Sequence, residues 1–339
     1  MVIRVSNKNK VIFYVILIII ETLCFVVNLY HGFSIVEGQI QDHGKVFIMY
    51  AGSLVKIFEN SLGPSFQNQT GYTYVGEGKG SVQISNMIAE GFRKPDVFVS
   101  AGTIPIMKLI DNKPSGVGWL MKFASAEMVI AYSPKSHFFN DLEKAKTGQI
   151  PWYNVISESG FKFGRTDPLL DPKGYNMIIT AKLSNIYYND STIKQRTLGD
   201  DRNPKQIFPE ETLNTVLESG QVDAIAAYKH EAISRGLFYI TLPPQINLGN
   251  TDFSEFYKKA SYTFSSNDYK TVYGEPIYFS VTIPDSSKNL NGAISFVNYL
   301  LSPSKGKLIL ENQGLDYLKK PIIEGNVSKV PSNITSLEK

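Results

Sequence analysis

Two serines sit where a glycine-containing turn gives way to a helical run. Ser53 follows Ala51-Gly52, and Ser81 closes Gly76-Glu77-Gly78-Lys79-Gly80-Ser81. A serine there offers its hydroxyl and free backbone N–H groups to an anion, and the helix dipole aids it. One such serine reads first as an ordinary helix N-cap. Two such turns on one side of a sheet point to an anion site. Further on, the run Thr166-Asp167-Pro168-Leu169-Leu170-Asp171-Pro172-Lys173-Gly174 carries the carboxylates Asp167 and Asp171. As a pair for acid–base work they lack a neighbouring nucleophile or catalytic histidine.

Other chemistries find little support. Gly76–Ser81 fails the Walker A spacing, and no GxSxG elbow is present. The four histidines are far apart and form no HExxH pattern. Cys24 is the lone cysteine, which excludes an intramolecular disulfide and a cysteine-based metal site. A net charge of +3 without a basic stripe argues against nucleic-acid binding. An anion site in this chain must come from local geometry and not from a large positive field. The chain is therefore read as a binding protein and not as an enzyme, with an extracellular α/β hydrolase or transferase as the alternative class.

The elements that position these residues follow from the apolar pattern. With 43% hydrophobic and 19% charged residues among 339, a packed body is expected. Val46–Tyr50, Tyr72–Val75, Asp96–Ser100 and Glu127–Tyr132 read as strands. Helical runs follow the first three, around Leu54–Leu62, Val82–Ile88 and Ile104–Leu109. The pattern then restarts: helix at Trp152–Ile156, strand at Phe161–Gly164, long helix from about Tyr175 to Tyr188. Gly199–Pro209 reads as loop, Thr212–Leu217 as helix, and Val222–Tyr228 and Phe238–Leu242 as strands. Tyr278–Ile283, the helix Asn289–Leu301 and a helix from Ser304 close the fold. Alternating strands and helices predict parallel α/β sheets, with ligands bound where strand ends meet helix starts. The expected lobes are 44–130 plus 270–320 and 131–243, joined by 244–269, with a polar tail over 321–339. Tyr132 and the stretch after Leu242 are expected near the hinge.

The N-terminus reads as an export signal. Arg4, Lys8 and Lys10 precede the apolar run Val11 to Tyr30. Glu21 within that run costs roughly 2–3 kcal/mol in a bilayer. Residues 1–32 are expected to be a signal peptide or an uncleaved membrane anchor, with the body outside the cytoplasmic membrane. Four sequons, at Asn68, Asn189, Asn326 and Asn333, agree weakly with export.

An ordered set of motifs makes the reading specific. YAGSL (Tyr50–Leu54), EGKGSV (Glu77–Val82), DVFVSA (Asp96–Ala101), EMVIAY (Glu127–Tyr132), DPLLDPKGY (Asp167–Tyr175), YYND (Tyr187–Asp190), PEETL (Pro209–Leu213), LESGQVDAIAAYK (Leu217–Lys229) and LPPQINL (Leu242–Leu248) run in order. Together they resemble the archaeal branch of the molybdate/tungstate-binding proteins, solute-binding components of ABC transporters. The resemblance implies a type II periplasmic-binding-protein fold: two α/β lobes with a ligand cleft between them. It implies tungstate or molybdate as ligand, a permease and its ATPase as partners, and no cofactor. Ser53 and Ser81 match the family's oxyanion-binding serines. Donors fall near Lys173 and Glu210, and Tyr228 matches the tyrosine that closes the site. Asp171 and Glu211 match two carboxylates that expand the metal from four to six oxygen ligands. Gly102 stands where the family usually has an acid, and Lys173 where relatives often have a small residue.

The carboxylates also make chemical sense. A carboxylate facing a dianion repels it, so sulfate and phosphate sites use neutral donors or arginine. Two acids fit if they bond to the central atom, which hard Mo(VI) or W(VI) accepts and sulfur does not. The bland reading is that Asp171 caps its helix and Glu211 favours the positive end of its own. A carrier of sulfate or phosphate on the same fold is the nearest alternative.

Overall fold

The computed structural model describes residues 43–111, 116–264 and 271–334. The expected export segment and Cys24 lie outside them. Among the described residues no helix is long and apolar enough to cross a membrane.

The strands are β1 (Lys45–Ala51), β2 (Thr73–Lys79), β3 (Val97–Ala101), β4 (Trp119–Ala126), β5 (Met128–Tyr132), β6 (Phe163–Thr166), β7 (Ile207–Phe208), β8 (Ala224–Tyr228), β9 (Phe238–Thr241), β10 (Ser261–Thr263), β11 (Thr271–Tyr273), β12 (Ile277–Thr282) and β13 (Asp316–Gly325). Six form one sheet in the order β13-β4-β12-β3-β1-β2, and five form a second in the order β7-β6-β8-β5-β9. β10 and β11 pair antiparallel as a separate two-stranded sheet. The two sheets define a first and a second lobe.

Both sheets are covered on both faces, which explains the unbroken apolar runs. In β1, Ile48 and Tyr50 enter the main core while Met49 points to a second cluster with Ile84, Phe98 and Leu109. In β5, Met128, Ile130 and Tyr132 join the main core, and Val129 and Ala131 pack against Leu213 and Leu217.

The sheets are mixed, not parallel as the alternating pattern predicts. β1 pairs β2 and β3 in parallel, and β6 pairs β7 and β8 in parallel. β12 lies antiparallel between β3 and β4, and β5 lies antiparallel between β8 and β9. The cause is that these strands arrive from the other lobe and not through a helix on their own sheet.

The chain crosses from β4 to β5 through Glu127 alone and returns past Asn247 and Leu248. Met128 N donates to Asn247 O at 2.7 Å, and Ile277 N to Leu248 O at 2.8 Å. The Glu127 carboxylate holds Asn247 Nδ2 and, at 2.6 Å, Lys229 Nζ. The return falls after Leu242. A lobe boundary at 130/131, however, would cut β5, and Tyr132 lies at the end of β5 remote from the crossing. The segment 244–269 supplies the return crossing, a short helix at Ser254–Tyr257 and β10. The tail expected from Pro321 is sheet as far as Gly325, which pairs with Trp119. β13 is an edge strand, so outward residues such as Lys319 and Lys320 give it a polar sequence.

Candidate functional site

The loops leaving β1, β2 and β3 meet the loops leaving β6, β7 and β8 where the lobes touch. A Cβ added to Gly52 would lie 2.2 Å from Glu210 Cγ, and one on Gly80 would lie 2.5 Å from Leu170 O. Gly102 faces Tyr175 and Pro172. Gln83 N donates across the junction to Leu170 O at 3.0 Å. Glycine is required at 52 and 80 because a second backbone segment or side chain occupies the space of a side chain.

Neither serine serves as an N-cap. The short 3-10 turn Gly52–Leu54 is preceded by Ala51, and the Ser53 hydroxyl is buried without a hydrogen-bond partner. The helix Ser81–Ala89 has Gly80 at its N-cap, and no side chain caps it. Ser81 Oγ instead accepts from Ala101 N at 3.1 Å, tying the second turn to the end of β3 and leaving its own proton to donate.

The second lobe answers with charge. Asp171 caps the helix Pro172–Tyr187: its Oδ1 accepts from Lys173 N at 2.7 Å and Thr166 Oγ1 at 3.2 Å. The capping reading of Asp171 is thus realised, and the Lys173 amide expected as an anion donor is engaged by it. The Lys173 side chain is fully buried. Its Nζ lies 3.0 Å from Glu210 Oε2 and 2.9 Å from Glu231 Oε2. The hydrogen bond to Glu210 runs through Oε1 at 3.1 Å, and Oε2 is close but off the hydrogen-bond line. Glu231 also accepts from Asn214 Nδ2 at 2.7 Å and from Tyr228 N. The Tyr228 hydroxyl accepts from Asn176 Nδ2 at 3.2 Å.

Four ionisable groups therefore share one buried space: Asp171, Lys173, Glu210 and Glu231. Burial raises the Asp171 carboxyl against the pull of Lys173 and its amide. Burial likewise raises Glu210 well above the carboxylate range, again opposed by Lys173. For Glu231 burial also pushes upward, but Lys173 and Asn214 outweigh it and hold the group below its usual value. Burial works against the Lys173 ammonium, and Glu210 and Glu231 more than restore it. Burial, with Asp171 adding, lifts the Tyr228 hydroxyl well up.

Of the residues expected from sequence, Ser53, Ser81, Asp171, Lys173, Glu210 and Tyr228 are all buried at or beside the junction. Glu211 is not brought to this cluster. Its side chain is 38% exposed and lies 3.2 Å from Lys79 Nζ on the rim. The reason is helical phase: Glu210 and Glu211 open the helix Glu210–Ser219, and consecutive helical residues point about 100° apart. Glu231, His230, Asn214 and Asn176 were not singled out in the sequence. The glutamate three residues beyond the end of β8 is the one local signal, a capping-box spacing. A cavity of about 1050 Å³ lies elsewhere, against the helix Leu290–Leu301 and β13, and contains none of these residues.

Comparison with known proteins bears on this site. The family model described as bacterial extracellular solute-binding protein matches residues 46–316. A molybdate/tungstate-binding protein, WtpA, of Pyrococcus abyssi is 32% identical over 311 residues, covering 85% of this chain and 88% of the relative. A solute-binding protein of Petrotoga mobilis is 32% identical, covering 86% and 89%. Among solved structures, the periplasmic molybdate-binding protein of Azotobacter vinelandii superposes with TM-score 0.53 at 17% identity, covering 80% of this chain and 98% of that one. The sulfate-binding protein SubI of Mycobacterium tuberculosis gives 0.54 at 13%, covering 82% and 88%.

Proposed function

This chain belongs to the bacterial extracellular solute-binding protein family, and on that premise we propose that it captures tungstate or molybdate between its lobes and delivers it to an ABC importer. The observation that carries the reading is the junction itself. Two turns with buried serines, one hydroxyl unpartnered, face a buried carboxylate cluster across the lobes. Neutral donors suit any tetrahedral oxyanion, and the acids suit one whose central atom accepts further oxygen ligands. The name of the Pyrococcus relative points the same way. In this reading Ser53 and Ser81 bind oxyanion oxygens, Tyr228 closes the site, and Asp171 with Glu210 approaches the metal. Family matching gives the last role to Glu211, but burial favours Glu210. Glu231 keeps the Lys173 ammonium neutralised when Glu210 turns to the ligand. Permease and ATPase are the partners, and the body works outside the cytoplasmic membrane.

The fold is shared with carriers of different oxyanions, so titration decides the ligand. Calorimetry with tungstate, molybdate, sulfate and phosphate should give tight binding of the first two only. Ser53→Ala and Ser81→Ala should each weaken that binding by about 1.5–3 kcal/mol, the range for a hydrogen bond to a charged group. Equal affinity for sulfate would make the protein a general oxyanion carrier. Unchanged affinity in both variants would place the site elsewhere.

A further inference from the structure

We propose that His230 is a further ligand-contacting residue of this site, offering a neutral ring N–H to the bound oxyanion from the second lobe beside Ser53. The proposal rests on the oxyanion reading above.

His230 is wholly buried, and neither ring nitrogen has a hydrogen-bond partner. An imidazole carries a donor and an acceptor when neutral, and leaving both unmet in a protein interior is costly and rare. The ring's place makes this informative. It stacks on Tyr228, with ring centroids 5.7 Å apart and planes 19° apart. Phe279 of β12 meets it edge-on at 5.1 Å. One neighbour thus belongs to each lobe, and the ring is clamped where they meet. Its close polar neighbour is the Ser53 backbone, which favours the protonated ring as a hydrogen-bond acceptor does, although neither nitrogen reaches it with full hydrogen-bond distance and angle. The Ser53 hydroxyl is itself buried and unpartnered. Unmet donors on two neighbouring residues from opposite lobes mark where an acceptor-rich ligand fits.

The ring's charge state suits an oxyanion flanked by acids. Burial lowers the His230 pKa to about 4; Glu231 opposes the shift and Lys173 adds to it. At neutral pH the ring is uncharged and donates one N–H, as the serine hydroxyls do. An ordinary core histidine would find well-aligned protein partners for its nitrogens, and this one has two ring contacts and a misaligned approach to the Ser53 backbone.

The test uses the full chain labelled with ¹⁵N-histidine, with and without saturating tungstate, and His230→Phe to assign the ring signals. Binding should move the His230 ring nitrogens. Calorimetry should show His230→Phe weakened by about 10–100-fold, the factor expected for a hydrogen bond to a charged group. His230→Gln, which keeps an N–H, should recover part of that loss. If the wild type binds tungstate and Ser53→Ala weakens it, yet the ring signals stay fixed and His230→Phe binds within about threefold of wild type, the histidine proposal is wrong and the oxyanion reading stands. Should His230→Phe fail to fold, the wild-type ring shifts decide alone, with the signal assigned through His230→Gln. A wild type that binds no oxyanion overturns both.

Discussion

The two sides of the interlobe junction are built from opposite materials. The first lobe brings glycines and serines on strand-end turns: Gly52-Ser53, Gly80-Ser81 and Gly102, with no charged side chain among them. The second brings Asp171, Lys173, Glu210 and Glu231, all buried, with Tyr228 and His230 beside them. Backbone geometry holds the first side, so close approach is its requirement. Charge balance holds the second, so every member depends on the others. In the proposed function, recognition of a tetrahedral shape falls to the first side and discrimination by chemistry to the second. Each can be broken separately.

The largest effect should come from the charged side. Lys173→Met leaves Glu210 and Glu231 buried without their shared cation. Removing one partner of a buried pair costs about 3–5 kcal/mol. The deficit should depend on pH. Glu210 already has a folded pKa above its unfolded value of 4.5, and removing the ammonium takes away the largest downward pull on both Glu210 and Glu231. A group raised in the folded state favours folding below its unfolded pKa and loses that contribution as pH rises through the folded pKa. The variant should thus lie closer to wild type at pH 5 than at pH 8 by urea midpoint. Equal deficits at both would mean that lost packing of the lysine stem, and not uncompensated charge, sets the cost.

A smaller effect should come from the neutral side, and on binding more than on stability. Gly80 has φ −56° and ψ 130°, a backbone that alanine adopts freely. Its added Cβ would meet the Leu170 carbonyl oxygen at 2.5 Å and Asp171 Cβ at 3.2 Å. The clash is with backbone of the opposite lobe, so closure suffers while each lobe folds normally. Overpacking of this kind costs about 1–3 kcal/mol, so oxyanion affinity should fall by about 5–150-fold with little change in urea midpoint. Gly52→Ala should weaken binding through Glu210 itself, since its Cβ would lie 2.2 Å from the Cγ of that buried, Lys173-bound side chain. If Gly80→Ala binds as wild type, closure to this degree is not needed for capture.

The contrast also explains what could be read in advance. The neutral side is local in sequence: each serine stands next to its own glycine, at the end of an apolar run. The charged side is not. Lys173 is 37 positions from Glu210 and 58 from Glu231, and no periodicity links them. The strand β4 was missed because Lys122 interrupts it; that lysine is half of a pair with Glu324 of β13 and lies over the Tyr278 ring. The Gly76–Lys79 segment read as a turn but is strand. A Cβ at Gly76 would strike Glu59 and Tyr74, and one at Gly78 would strike Val55. There glycine reports packing, not chain reversal.

The smallest effect separates Glu210 from its neighbour. Motif matching placed Glu211 on the metal, but here it faces Lys79 of β2 across the rim at 3.2 Å, both side chains partly exposed. Lys79 also lies 3.9 Å from Glu77, which holds Arg93. An exposed ion pair contributes about 0–1 kcal/mol and is screened by salt. Two consequences of Glu211→Gln then oppose each other. Losing the interlobe pair loosens the closed state, and losing a negative charge near a dianion favours binding. Both are weak, and both act alike on tungstate and sulfate. The expected result is a change within about fivefold, equal for the two anions and fading at high salt. If Glu210 coordinates the metal as proposed, Glu210→Gln should instead weaken tungstate selectively, because sulfate does not use that oxygen. Titration of both variants with both anions, at low and high salt, checks this. A selective, salt-independent loss of tungstate in Glu211→Gln, with Glu210→Gln unaffected, would return the coordinating role to Glu211 and make the rim pair a feature of another closure state.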